Sequence, residues 1–141
     1  PQYIQDALLD TSPSGFESVV AQLWSTEGWD ATTTVDGNDR GVDIIAKKDD
    51  LFGSRRQLIQ CKRYDPNRTI GSPDVRQYAG LYQRNEQVDR VAIVTTCNFT
   101  DDAKQVANEL DVLLINGPEL AELYTPDLDE VTATANDLLC P

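Results

Sequence analysis

The sequence predicts an α/β fold: a mixed central sheet with helices on both faces. Three observations carry that expectation. The elements read in the order helix, three strands, then helix, strand, helix, strand, helix, a meander feeding a strand–helix–strand alternation. The run Arg90 to Thr96 is almost unbroken in apolar residues and short enough for a buried central strand. Apolar residues also recur at helical spacing at Phe16, Val19, Val20, Leu23 and Trp24, and again at Val75, Tyr78, Ala79 and Tyr82, so each segment has one face to bury.

Taken in order, Tyr3 to Leu9 suits a short helix, interrupted by Thr11-Ser12-Pro13. Ser14-Gly15-Phe16-Glu17 reads as a capping box, with serine as the N-cap and glutamate at N3, opening a helix that Gly28 ends. Asp30 to Val35 reads as a strand, and Asp36-Gly37-Asn38-Asp39 as a turn. Strands are expected at Gly41 to Lys47 and Gln57 to Tyr64, joined by a charged connection from Lys48 to Arg56. Asp65 to Gly71 is expected as a loop, and Ser72 before Pro73 starts a helix. After the apolar strand, Thr100 caps a helix whose first turn holds Asp101 and Asp102, favourable for its dipole. Asp111 to Ile115 is a last strand and Pro118 to Tyr124 a last short helix. Residues 1–125 are expected to form one domain, with 126–141 as an acidic tail or the start of a linker.

With no methionine among its 141 residues, the sequence does not begin at a translational start and is expected to be cut from a longer chain. No apolar run is long enough to span a bilayer and no basic-then-apolar leader is present, so a soluble, cytoplasmic protein is expected. Cys61, Cys97 and Cys140 are too scattered for a disulfide framework or a zinc site. There is no histidine, which removes histidine triads and leaves carboxylates, amides, lysine, hydroxyls or thiols for any chemistry.

The formal charge of −12 is unevenly distributed. Residues 1–39 carry seven acids and no bases, residues 40–90 carry seven acids and eleven of the twelve bases, and residues 91–141 carry ten acids and only Lys104. A basic middle segment is the pattern a polyanion partner would leave, although sequence segments are not surfaces. The seventeen aspartates against seven glutamates, and four lysines against eight arginines, resemble the composition of halophilic proteins. Molar salt screens carboxylate repulsion to a few ångströms and also weakens attraction to phosphates.

Two segments concentrate the chemistry: Asp39-Arg40-Gly41-Val42-Asp43-Ile44-Ile45 and Leu58-Ile59-Gln60-Cys61-Lys62-Arg63-Tyr64. Residues two apart in a strand share a face, so Gln60 and Lys62 point one way and Cys61 the other. A glutamine and a lysine within an apolar strand are costly unless paired. If the two strands are neighbours, Asp43 lies beside both. A carboxylate, an amide oxygen and an ammonium around one point suit phosphodiester hydrolysis. Mg²⁺ takes oxygen ligands and neutralises charge on the phosphate, and the lysine stabilises the oxygens of the transition state. Glu17 is the candidate second acid.

In these residues the chain resembles the catalytic domain of the Mrr group of restriction endonucleases, within the PD-(D/E)xK nuclease superfamily. The matching pieces are Gly15-Phe16-Glu17; Asp39-Arg40-Gly41-Val42-Asp43; Gln60-Cys61-Lys62-Arg63-Tyr64; Thr95-Thr96 with Phe99-Thr100 and Ala103; and Ile115-Asn116-Gly117 before Leu120. They cover roughly residues 13 to 124. Each piece is weak alone; their order makes them specific. The resemblance implies a restriction-endonuclease-like fold and the catalytic set Glu17, Asp43, Gln60 and Lys62. Asp43, Gln60, the Cys61 backbone carbonyl and, through water, Glu17 would bind Mg²⁺, for which Mn²⁺ could substitute. Gln60 stands where many superfamily members have glutamate, as is typical of the Mrr group. DNA is the implied partner, with a homodimer cutting both strands and a separate recognition domain directing type IV restriction of modified DNA.

Other readings stand beside these. The capping box alone would account for Glu17, a turn for Asp43, and a solvent-facing edge strand for Gln60 and Lys62. Arg40, Arg63 and Arg76 are candidate phosphate contacts and equally ordinary surface charges. Trp24, Tyr78 and Tyr82 read as core rather than base-stacking platforms, and Thr95 and Thr96 as the end of a strand. The competing functions are a structure-selective nuclease of the Holliday-junction type, against which Gln60 counts, and a DNA-binding module that keeps the fold without catalysis.

Overall fold

The computed structural model describes residues 13–34, 42–65, 67–84 and 87–123. The expected helix at Tyr3 to Leu9, the Asp36-Gly37 turn, Arg40 and the segment 126–141 lie outside the described residues. The elements are α1 (Pro13–Thr26), β1 (Asp30–Thr33), β2 (Ile44–Asp50), β3 (Gly53–Lys62), β4 (Thr69–Ile70), α2 (Ser72–Arg84), β5 (Arg90–Thr95), β6 (Asn98–Phe99), α3 (Asp101–Leu110), β7 (Val112–Ile115) and α4 (Gly117–Leu123). Five strands form one sheet in the order β1-β2-β3-β5-β7. The first three are antiparallel neighbours, and β3, β5 and β7 run parallel. The sheet is therefore mixed, as its strand–helix alternation requires.

Alternation along the strands sends side chains into two cores. Ile44, Ala46, Ile59, Ala92 and Val94 pack with Phe16, Val20 and Trp24 of α1 and Leu120 of α4. Leu58, Val91 and Ile93 face the other way, against Val75, Tyr78 and Ala79 of α2 and Ala103, Val106 and Ala107 of α3. Helices thus cover both faces. The expected stripes on α1 and α2 are the buried ones, except Tyr82, whose side chain is outside the description.

Several boundaries differ from expectation. Helix α1 starts at Pro13, a residue suited to the first helical position because its missing N–H is not needed there. Glu17 is then the fifth residue of the helix rather than the N3 partner of a Ser14 cap. The charged connection from Lys48 to Arg56 is no loop either. Strands β2 and β3 continue through it, pairing Lys47 with Arg56, Lys48 with Arg55 and Asp50 with Gly53. They turn over only Leu51 and Phe52, with Gly53 at φ 123°. The expected loop from Asp65 to Gly71 contains β4, which pairs with β6 in a small second sheet. Thr100 does cap α3, its side chain accepting from the Ala103 N–H. No described helix is long and apolar enough to cross a membrane.

Candidate active site

Asp43 stands just before β2, where the antiparallel ladder with β3 runs out. Its N–H donates to the Ile59 carbonyl at 3.1 Å, and its carbonyl accepts from Thr34 N–H at 2.9 Å, so its backbone is fixed on both sides. The last ladder pair is Ile44 with Ile59. Beyond it the Cys61 N–H has no strand opposite, and the Asp43 carboxylate fills that place, with Oδ2 accepting from Cys61 N at 2.8 Å. The same oxygen accepts from Gln60 Nε2 at 2.8 Å.

Backbone alternation places one more oxygen here. Ile59 and Cys61, two apart, aim their peptide groups toward β2, whereas Lys62 aims its carbonyl at β5. There the Lys62 carbonyl accepts from Thr95 Oγ1 at 2.6 Å and from Thr96 N at 3.3 Å. The Cys61 carbonyl therefore lies on the Asp43 edge.

Gln60 is 5 % exposed, and its Oε1 is buried with no hydrogen-bond partner among the described residues. An orphaned buried acceptor costs on the order of 1–3 kcal/mol, so it calls for an explanation. Its neighbours supply one. Glu17 projects from α1 and hydrogen-bonds the Asp43 side chain, so two carboxyls, an amide oxygen and a backbone carbonyl converge. That all-oxygen set fits a hard divalent cation. Among the described residues no three His, Cys, Asp or Glu side chains gather into such a group, because two of the donors here are amide oxygens.

The electrostatics are those of a site built for a cation. Burial pushes the Asp43 pKa above its ordinary value, although the Cys61 N–H, the Glu17 side chain and the Lys62 charge each pull it down. Two carboxyls can hydrogen-bond to each other only with a proton between them, since carboxylates are acceptors. Cys61 is held far from reactivity. Burial, then the nearby Asp43 and Glu17 charges, push its thiol well above the usual range, which keeps it protonated and inert.

Lys62 leaves β3 on the same face as Gln60, toward α2. Burial pulls its pKa down, but hydrogen bonds and electrostatic contacts with Tyr78 and Tyr64 outweigh that and leave it raised. Its Nζ lies 5.4 Å from the centre of the Tyr78 ring. Tyr64 is in turn fixed by Thr96, whose Oγ1 accepts from Tyr64 N at 2.8 Å and donates to its carbonyl at 2.6 Å.

The structure thus brings together Glu17, Asp43, Gln60, Cys61 and Lys62, all anticipated from the sequence. Arg63 and Arg76 are exposed, Arg76 lying 3.4 Å from Ser72 Oγ. Four other bases do not join them: Lys47, Lys48, Arg55 and Arg56 lie toward the far end of the β2–β3 hairpin, roughly 20 Å away along the strand at about 3.3 Å per residue. Sequence reasoning missed Tyr64, Tyr78 and the two threonines as parts of the site. Tyr64 and the threonines had a signal in their positions within the matching motifs; Tyr78 read as core, and is core, at 7 % exposure.

Residues 8–124 match the restriction endonuclease catalytic family Mrr_cat. The fold is shared with a crystal structure of a protein of unknown function, AF1548 (18% identity, TM-score 0.69), covering 86% of this chain and 77% of that one. It is shared with the DNA modification-dependent restriction endonuclease AspBHI (16%, 0.75), covering 97% of this chain and 39% of that one. A third is the MspJI restriction endonuclease in complex with a 27-mer oligonucleotide (22%, 0.61), with 96% and 34% covered. The chain therefore spans little more than a third of the two endonucleases. At these identities the likeness concerns the fold, and no curated protein matches the sequence. With the family match spanning most of its length, the chain belongs to the Mrr catalytic family of restriction endonucleases.

Proposed function

We propose that this domain is a metal-dependent endodeoxyribonuclease that hydrolyses phosphodiester bonds. The observation that carries the reading is the buried, partnerless Oε1 of Gln60 beside the Asp43 carboxylate. Asp43, Gln60 and the Cys61 carbonyl would hold Mg²⁺, or Mn²⁺ in its place, with Glu17 acting directly or through water. A divalent cation bound there supplies Lewis-acid neutralisation of the phosphate and a more acidic water. Lys62 meets the phosphate oxygens on which charge develops. The Gln60 Nε2 and Cys61 N–H hold the Asp43 carboxylate in one orientation, so its ligating geometry exists before substrate arrives.

DNA as the substrate is supported by family membership and by the modification-dependent character of AspBHI. On this reading a separate recognition domain of the full-length protein selects modified DNA, in the manner of type IV restriction, and a homodimer cuts both strands. Arg63 and Arg76 are exposed and available for phosphate contacts. The acidic, aspartate-rich composition further suggests a halophilic, cytoplasmic setting.

The test is cleavage of methylated and unmethylated plasmid in concentrated KCl, with Mg²⁺ or EDTA. Wild type should nick or cut with Mg²⁺ alone, and Asp43→Ala and Lys62→Ala should each lose at least about 100-fold in rate, the scale of removing one preorganised charge stabiliser. Cleavage that survives EDTA, or either substitution, would sink the proposal.

A further inference from the structure

A lysine at the end of a strand does not by itself hold its ammonium in one place. Its four-carbon stem carries about 2 kcal/mol of rotamer entropy, and a group that must meet a phosphate gains from being fixed beforehand. The usual fixing partner, a carboxylate, would also neutralise the charge.

Here the partners are neutral. Lys62 hydrogen-bonds the side chains of Tyr78 and Tyr64. The 5.4 Å from Nζ to the Tyr78 ring centre suits an ammonium lying beyond the hydroxyl as well as one above the ring. Each phenol is itself anchored. Tyr78 is 7 % exposed on α2, between buried Val75 and Ala79. The Tyr64 backbone is gripped at both N–H and C=O by the Thr96 hydroxyl, and the Arg68 guanidinium lies 4.1 Å from its ring centre.

We propose that Tyr78 and Tyr64 are positioning residues, a pair of phenols that clamps the Lys62 ammonium beside Asp43 and Gln60 while leaving its charge free for the scissile phosphate. Two of the three ammonium donors go to phenol oxygens and the third remains for substrate. The inference rests on the nuclease reading above.

The experiment compares wild type, Lys62→Ala, Tyr78→Phe, Tyr64→Phe and the double phenylalanine variant in the plasmid assay. In parallel, the Lys62 ammonium resonance is recorded by ¹⁵N NMR. Phenylalanine keeps both rings and their packing and removes only the hydroxyls. The double variant should lose roughly 10- to 100-fold in kcat, the cost of a misplaced catalytic group, with KM for DNA and the Mg²⁺ requirement unchanged. Its Lys62 ammonium signal, slowed in exchange in wild type, should broaden or vanish. A wild type that cleaves beside an equally fast double variant overturns this inference alone, as does an unchanged ammonium signal. A wild type that cleaves nothing overturns the nuclease reading and the clamp's role together.

Discussion

Asp43 is ionised at a cost. Burial raises its pKa, so between the ordinary value of 3.8 and its raised value the folded chain binds more protons than the unfolded one. Stability therefore falls as pH rises through that window and stays lower above it. Asp43→Asn removes the penalty and keeps an oxygen to accept from Gln60 and Cys61. Without metal the variant should melt higher at neutral pH, by on the order of 1 kcal/mol, the usual gain when a functional group is relieved. The advantage should shrink in acid and reverse in saturating Mg²⁺, which stabilises only a protein that binds it. Equal melting temperatures at pH 7 in EDTA would refute this account. Period-two spacing made Gln60 and Lys62 legible as one polar face in an apolar strand. Glu17 was legible for a second reason that the structure sets aside, since α1 begins too early for the capping box. Tyr78 was not legible as a site residue: an aromatic in a helical stripe looks the same whether its hydroxyl is idle or bonded across to another element.

At the level of elements, the site depends on how β3 ends. Thr95 and Thr96, fully or nearly buried, cap the Lys62 and Tyr64 carbonyls where the ladder with β5 stops. Behind them the start of α4 approaches so closely that a Cβ on Gly117 would lie 2.3 Å from the Thr96 carbonyl oxygen. Gly117→Ala should therefore destabilise by about 1–3 kcal/mol, the typical cost of overpacking, and lower cleavage by shifting Thr96. Gly80→Ala, whose Cβ meets nothing within 4 Å on α2, serves as the opposite case and should gain up to about 1 kcal/mol. Thermal melts of the pair decide it; a neutral Gly117→Ala would refute the close approach. The helix and strand order was readable because hydrophobic period reports it directly. The β2–β3 turn was not. Its Leu51-Phe52 tip, 98 % and 97 % exposed, carries none of the Asn-Gly chemistry that usually marks a hairpin, and the charges around it resembled a loop.

For the molecule as a whole, charge segregation along the sequence does not become one basic face. Strand β3 separates the Lys47–Arg56 group from Lys62, and only the three-dimensional path of that strand could reveal it. That path also sets an order of events. Asp43 and Cys61 are 18 residues apart, but the intervening hairpin zips over a two-residue turn, and hairpins form in roughly 1–10 μs. The Thr95 cap on Lys62 joins residues 33 apart through a parallel pairing, which costs loop-closure entropy before any contact rewards it. In pulse-labelled hydrogen exchange, the Cys61 amide should gain protection before that of Thr96, and simultaneous protection would contradict the order. A chain emerging from synthesis thus assembles the part that collects a cation before the part that aims the lysine, and is harmless to nucleic acid until its last strands have paired.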